Sequence, residues 1–241
     1  MSGGSRIWLT RPEADSHAIA EALAEHGILS IIDPVITIEP LPVPTLTTPP
    51  DALLLTSRHA AHALAPELAM LPVFCVGQAT AAIARERGFS EVLTGIGDLM
   101  GLLPVVRDRL APGSQLAYYS GEDIQFDPTS LLAMQGIHCT RHIVYRAAAQ
   151  GSFTPGLRMH LSSGEIRGVV FFSARTARIA CGLLKEEEFT QAAESIDAYC
   201  LSLAVSEAAS MLPWRSVLVS PAPTRDAMVA LVSQHARAIA S

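Results

Sequence analysis

Short apolar runs alternate along the chain with longer segments whose apolar residues recur at helical spacing. For example, GVVFF at 168–172 leads through Ser173 into ARTARIA, a strand followed by an amphipathic helix. This alternation is typical of α/β proteins with parallel sheets. The predicted strands are 6–10, 28–32, 52–56, 72–76, 116–120, 137–145, 168–172, 196–201 and 216–220. The predicted helices are 13–27, 58–69, 79–87, 98–110, 174–185, 203–211 and 224–240.

Two stretches interrupt this pattern. The sequence PVITIEPLPVPTLTTPP at 34–50 has too many prolines for a helix or a central strand, so it predicts an extended linker. The glycine-rich TGIGDLMG at 94–101 is similar to a nucleotide-binding run only in its glycines. No clear strand precedes it, and we interpret it as a loop that leads into a helix.

The two halves of the chain follow one plan. ALLLTSRHAAHAL matches GVVFFSARTARIAC, which aligns Ser57 with Ser173, and Gly27 matches Gly136 in an earlier pair of segments. A repeated order of strand, turn and helix indicates two similar α/β lobes.

Composition excludes several classes of partner. Hydrophobic residues make up 49% of the chain and the net charge is −6, which is typical of a globular protein and argues against nucleic-acid binding. No apolar run is long enough to cross a membrane. The first residues lack the apolar segment of a signal peptide. We therefore expect a cytoplasmic protein with no membrane partner, and reduced thiols at Cys75, Cys139, Cys181 and Cys200.

Polar residues follow the predicted strands, where an open parallel sheet binds its ligands. Each hydroxyl there has two interpretations, as the cap of the next helix or as a contact to an anion. A glycine allows close approach of the backbone, and arginine binds carboxylates in a fixed fork. The candidate substrate-binding residues are Arg11, Ser57, Arg58, Gly77, Thr80, Ser120, Gly121, Ser173, Arg175, Ser202 and Thr224.

Neither a nucleophile nor a metal site is predicted. Ser173 lacks the flanking glycines of a nucleophile elbow. His59 and His62 share one helical segment, but no third ligand accompanies them. Tyr145 ends a predicted strand, and it is either an anchoring aromatic or a phenol that serves as a weak acid.

Taken together, these segments resemble the uroporphyrinogen-III synthases of tetrapyrrole biosynthesis. The resemblance extends over nearly the whole chain. It implies two α/β lobes with parallel sheets, joined by a pair of extended linkers near 35–40 and 143–149, with a cleft between the lobes. Lobe one would comprise 1–36 and 149–241, and lobe two 38–146. The segments that carry the resemblance are TRPEADSHAIAEALAEHG, PVITIEPL, ALLLTSRHAAHAL, VFCVGQATAAIA, HIVYRAA, VVFFSARTAR and PAPTRDAMVALV.

The resemblance also implies a reaction. Hydroxymethylbilane, a linear tetrapyrrole with eight carboxylates, would be cyclised to uroporphyrinogen III with loss of water and inversion of ring D. The family mechanism passes through an azafulvene cation and a spiro intermediate. It implies no cofactor, a monomeric enzyme, and handover of the bilane from the upstream enzyme that makes it.

Individual residues follow from the same resemblance. Tyr145 matches the tyrosine that assists departure of the hydroxyl, Thr80 matches a threonine of a glycine and threonine segment, and Ser173 matches a serine after the third strand. The second such segment differs, because Ala204 and Val205 stand at the threonine positions. Two alternatives stay open: a noncatalytic two-lobed protein that binds or senses tetrapyrroles or other anions, and a different transferase or lyase for a polyanionic substrate.

Overall fold

A computed structural model describes residues 5–240 except 44, 47, 97 and 125. The chain divides into two compact units, with Met1–Thr37 and Ala148–Ser241 in unit 1 and Ile38–Ala147 in unit 2. The strands are β1 (Arg6–Leu9), β2 (Leu29–Ile32), β3 (Ile36–Pro40), β4 (Ala52–Leu55), β5 (Val73–Cys75), β6 (Val92–Thr94), β7 (Gln115–Gly121), β8 (His138–Ala149), β9 (Ile166–Phe171), β10 (Asp197–Cys200) and β11 (Ser216–Val219). The helices are α1 (Glu13–Ala24), α2 (Arg58–His62), α3 (Gln78–Glu86), α4 (Leu99–Arg109), α5 (Thr129–Met134), α6 (Pro155–Ser162), α7 (Ala174–Glu186), α8 (Leu203–Ala209) and α9 (Arg225–Ala240).

Unit 1 is built on a five-stranded sheet in the order β11-β10-β9-β1-β2. All its strand pairs are parallel. Ile7 and Leu9 of β1 lie in one core cluster with residues of α1 and α9. Trp8, between them, packs edge-on against Phe153 with ring centroids 5.3 Å apart. Because both faces of the sheet are covered, its central strands are apolar except for a charged residue at the first or second position of each.

Unit 2 contains the six-stranded sheet β3-β8-β7-β4-β5-β6. From β8 to β6 the pairs are parallel. The sequence ALLL of β4 is buried at every position, because its side chains alternate between two helix-covered faces. Leu53 and Leu55 contribute to a core that also contains Ala60 and Ala61 of α2, which we call the α2-side core. Ala52 and Leu54 contribute to the core on the opposite face.

The predicted α/β class with parallel sheets is confirmed, and each predicted strand forms with small shifts of its ends. Part of the predicted linker, 36–40, is the edge strand β3, and its Pro40 lies at the strand end where it interrupts no central pairing. The predicted helix 58–69 is too long. After α2 the chain forms only a 3₁₀ turn from Pro66 to Leu68, since proline cannot continue a helix.

The glycine-rich stretch does follow a strand, which corrects the prediction. That strand, β6, has only three residues and so shows no alternation in the sequence. The stretch then leads into α4, as predicted, and Asp98 caps this helix by accepting hydrogen bonds from the N–H groups of Met100 and Gly101. Helix α6 was not predicted, because it is short and begins at Pro155.

Candidate functional site

In unit 2, the carboxyl ends of β7, β4 and β5 are neighbours in the sheet, and the end of β7 pairs with β8 at Tyr145. Tyr145 does not end its strand as predicted, because β8 continues to Ala149 along the edge strand β3. Strands β8, β7, β4 and β5 bring together Tyr145 and the predicted residues Gly121, Ser57 and Gly77, which lie in or directly after these strands. A cavity of about 410 Å³ opens here, within the range of small-molecule sites. Its lining comprises Thr56, Ser57, Val76, Asp98, Leu99, Met100, Tyr118, Asp123, Ile124, Phe126 and Tyr145.

The cavity lining is mostly apolar and carries two phenols and two carboxylates. Tyr145 is half-buried, and its carbonyl accepts a hydrogen bond from the N–H of Glu122 at 2.9 Å. The hydroxyl of Tyr118 lies 3.1 Å from Thr56 Oγ1. Burial raises the pKa of Tyr118, and the hydrogen bond with Thr56 opposes that shift. Asp98 and Asp123 are exposed, and they bring two carboxylates to the lining of the cavity.

The predicted residues after β4 and β5 have clear local roles. Ser57 caps α2, since its Oγ accepts a hydrogen bond from the N–H of His59 at 3.2 Å. Arg58 is the first residue of that helix and is half-buried. Gly77 precedes α3 with φ of 85°, a conformation that favours glycine. Thr80 lies within α3 and is 5% exposed, and it is not among the residues that line the cavity.

Ser120 and Gly121 end β7 beside Tyr145. Ser120 is fully buried, and its hydroxyl donates to the carbonyl of Gly121 while it accepts a hydrogen bond from Arg141 Nε at 2.8 Å. Arg141 also donates to the carbonyls of Gly121 and Glu122. The side chain of Ser120 therefore links the end of β7 to Arg141 of β8.

In unit 1, the predicted residues follow four adjacent strands: Thr224 follows β11, Ser202 β10, Ser173 and Arg175 β9, and Arg11 β1. Ser173 caps α7 by accepting a hydrogen bond from the N–H of Thr176 at 3.1 Å. Thr224 Oγ1 accepts one from the N–H of Ala227 at 3.2 Å, at the start of α9. Ser202 precedes α8 but makes no side-chain cap hydrogen bond.

Arg11 is held in place on two sides. Its Nη2 donates to Asp15 Oδ2 at 2.6 Å, and its guanidinium lies 4.8 Å from the ring centroid of Phe172. Burial lowers the pKa of Arg11. The side chain of Arg11 is 35% exposed. Arg175, in the first turn of α7, is exposed.

Several cavity residues were not predicted. Asp98 and Asp123 were missed because each lies in an irregular loop, and only the cavity brings them near Tyr145. A signal was present for one of them: Asp98 precedes a helical pattern directly, as capping residues do. Phe126 and Tyr118 gave no sequence signal that separates a lining residue from a core residue.

Nothing in the described part of the chain forms a group of three or more His, Cys, Asp and Glu residues suited to a metal ion. The four cysteines are free thiols, and burial raises the pKa of Cys75 and Cys200 to about 12. Among the described helices, none has both the length and the apolarity needed to cross a membrane.

Comparison with known families settles the relationship. The model of the family described as uroporphyrinogen-III synthase HemD matches residues 17–230. The chain belongs to the uroporphyrinogen-III synthase family. The predicted function is thereby confirmed over the noncatalytic alternative: the family consists of lyases of porphyrin and heme biosynthesis that act on a small-molecule tetrapyrrole.

A solved structure of this family resembles the chain in fold. The uroporphyrinogen-III synthetase of Helicobacter pylori 26695 is 16% identical, with 96% of this chain and 99% of that chain covered and a TM-score of 0.63. The wild-type uroporphyrinogen III synthase of the extremely thermophilic bacterium Thermus thermophilus is 18% identical, with coverage of 99% and 100% and a TM-score of 0.44. No curated protein sequence matches the chain.

Proposed function

We propose that this synthase uses the cavity in unit 2 to hold the part of hydroxymethylbilane that loses water, and that Tyr145 is its catalytic residue. The observation that carries the proposal is the placement of Tyr145 in the wall of a cavity of about 410 Å³ at the carboxyl ends of the strands. The substrate, the cyclisation and the inversion of ring D follow from membership of the family.

The proton balance of the first step assigns a role to the phenol. The bond between the hydroxymethyl carbon and its oxygen breaks as the pyrrole nitrogen of ring A supplies an electron pair. The Tyr145 hydroxyl gives its proton to the departing oxygen, which leaves as water. The remaining azafulvene is cationic, and the substituted carbon of ring D then attacks it.

The charge of the cavity suits that cation. Asp98 and Asp123 are the carboxylates among the described residues that line it. Negative groups fixed near a developing positive charge lower the barrier to forming it. The same carboxylates disfavour the acetate and propionate groups of the substrate, which we assign to other positions.

Those positions are the strand-end residues in each unit. We assign the carboxylates to Arg11, Arg58 and Arg175, together with the strand-end turns at Gly77 and Thr80 in unit 2 and at Ser173, Ser202 and Thr224 in unit 1. Arginine forks and the N–H groups of helix starts both bind carboxylates. The turn before α8 lacks the family threonine, and Val205 there is 4% exposed. At that turn we therefore assign binding to backbone N–H groups.

The arrangement of the whole enzyme is also part of the proposal. We propose two lobes joined by paired linkers, which the crossing of the chain between units at 37–38 and 147–148 supports. We further propose a cytoplasmic monomer, and the free thiols accord with a reducing compartment. Handover from the upstream enzyme follows from the substrate, since the free bilane closes spontaneously to isomer I.

The test supplies fresh hydroxymethylbilane to the purified protein and separates the uroporphyrinogen isomers. We expect isomer III, and isomer I alone would overturn the proposal. Tyr145→Phe removes only the hydroxyl, so we expect kcat to fall by about 10-fold or more with an unchanged melting temperature. Unchanged turnover in this variant would show that Tyr145 is an anchoring aromatic and not a proton donor.

A further inference from the structure

Strand β8 contains a bulge next to Tyr145. Along the pairing of β7 with β8, Ser120 is opposite Ile143 and Gly121 is opposite Tyr145, so Val144 is an extra residue in β8. Val144 is buried in the α2-side core, and Tyr145 packs against the same core. Successive residues of a regular strand point to opposite faces. The bulge thus turns Tyr145 to the face that carries α2, as bulges near active sites often re-aim a side chain.

Gly121 gives the phenol room on that face. A Cβ atom at position 121 would lie 2.6 Å from Cζ of Tyr145 and 2.8 Å from its hydroxyl oxygen. Both distances are too short for any side chain. The ring of Tyr145 therefore lies directly over the backbone of β7, and only glycine permits this placement.

His59 bounds the other side of the ring. Its imidazole and the phenol of Tyr145 have centroids 5.5 Å apart and planes inclined at 59°. His59 is half-buried, and the backbone hydrogen bond to Ser57 Oγ fixes it in the first turn of α2. Two rings at this separation and tilt are in packing contact.

We propose that His59 is a positioning residue for Tyr145. The imidazole ring of His59 and the absence of a side chain at Gly121 confine the phenol of Tyr145 to one orientation at the cavity wall. The expected effect of His59 on the reaction rate rests on the proposed function, whereas its effect on the orientation of Tyr145 does not. A proton donor has to lie within hydrogen-bond reach of the departing oxygen. Removal of the imidazole leaves space beside the phenol, and displacement of a catalytic group by about 1 Å costs up to about 100-fold in rate.

The experiment combines fluorine NMR with kinetics. Labelling with 3-fluorotyrosine gives signals from the four tyrosines, and Tyr145→Phe identifies the signal of Tyr145. We expect His59→Ala to shift or broaden that signal and to lower kcat by about 10-fold, with a much smaller change in KM. His59→Phe keeps a ring at this position and should restore both the signal and kcat.

His62→Ala is the matched control, because His62 is on the same helix but is exposed. We expect it to leave the Tyr145 signal and kcat unchanged. Gly121→Ala is a second variant that should displace the Tyr145 signal without altering α2. The proposal is overturned if His59→Ala leaves the signal in place, if His62→Ala has the same effect, or if His59→Phe restores nothing. If even the wild type forms no isomer III, the proposed function fails, and the fluorine signal alone decides the role of His59.

Discussion

Three of the predicted substrate contacts use a side-chain oxygen to cap a helix. Ser57, Ser173 and Thr224 each accept a hydrogen bond from a backbone N–H at a helix start. A hydroxyl that accepts in this way still has its own proton to donate. The Ser173 hydroxyl donates to Thr176 Oγ1 at 2.9 Å, since the Thr176 hydroxyl itself donates to the Ser173 carbonyl, and a substrate carboxylate would take the place of Thr176 as the acceptor. The two interpretations of these residues, as cap and as anion contact, are therefore compatible.

Ser173 allows the two roles to be separated. Removing the cap in Ser173→Ala should lower the free energy of unfolding by about 1 kcal/mol, as measured by urea denaturation. Loss of the donated hydrogen bond should raise KM more than it lowers kcat. Ser173→Asp keeps a capping oxygen but adds a negative charge, so we expect stability near that of the wild type together with a larger increase in KM.

The outcome that would contradict this interpretation is specific. If Ser173→Ala folds stably but has no turnover, Ser173 takes part in the chemistry itself. If Ser173→Asp binds substrate as well as the wild type does, its side chain does not face a substrate carboxylate.

Among the secondary-structure elements, a buried carboxylate ties three elements of unit 1 together. Asp197, the first residue of β10, is 1% exposed and accepts hydrogen bonds from Arg215 and from Ser216 of β11. His235 of α9 lies 3.4 Å away. Burial alone would raise the pKa of Asp197, but the hydrogen bonds from Arg215 and Ser216 and the nearby positive charges outweigh it, so the pKa is lowered.

Asp197→Asn removes the charge that Arg215 compensates. We expect a loss of about 2 to 3 kcal/mol in the free energy of unfolding at pH 7, less than for a fully buried pair because Arg215 is partly exposed. A lowered folded-state pKa means that the ionised carboxylate stabilises the fold above the unfolded-state pKa of about 3.9. This contribution disappears as the pH falls through the folded-state value.

The difference in stability between wild type and Asp197→Asn should therefore shrink as the pH is lowered from 7 to about 3. Urea denaturation at several pH values measures it. Asp226→Asn is the control, since its partner Arg225 and Asp226 itself are exposed and such pairs contribute about 0 to 1 kcal/mol. A difference that does not change with pH would show that the charge of Asp197 is not what stabilises unit 1.

The sequence predicted elements best where the apolar pattern was long enough to show a period. Helix α7 and the strands before and after it were placed within a few residues, because strand β9 and the stripe of α7 are both buried. The elements that escaped prediction are short or contain proline, such as β6, β3 and α6. In the two strands, tertiary packing rather than local pattern determines the structure. Helix α6 does carry a local start signal, since Thr154 caps it and Pro155 stands at its first position.

The site was predictable to a similar degree. Tyr145 and the strand-end residues stood out because parallel sheets bind ligands at one edge. The sequence shows the spacing of His59 from His62, which gives no metal site without a third ligand, but it does not show the contact of His59 with Tyr145. That contact depends on a one-residue bulge in β8, which no periodicity could reveal.

For the whole molecule, the connectivity makes unit 2 a single insertion into unit 1. The chain leaves unit 1 after residue 37 and returns at residue 148, and each unit has core clusters of its own. Units with separate cores often open as separate cooperative units. We therefore expect native-state hydrogen exchange to resolve two groups of amides with different free energies of opening.

Variants confined to one unit test this expectation. Asp197→Asn should reduce protection of the amides of β9 and β10 in unit 1, while those of β4 and β7 in unit 2 keep theirs. Leu54→Ala, at a fully buried position of β4, should do the reverse and remove about 2 to 5 kcal/mol from unit 2. If either variant lowers protection equally in both groups, the two units unfold as one, and the insertion has become part of a single cooperative structure.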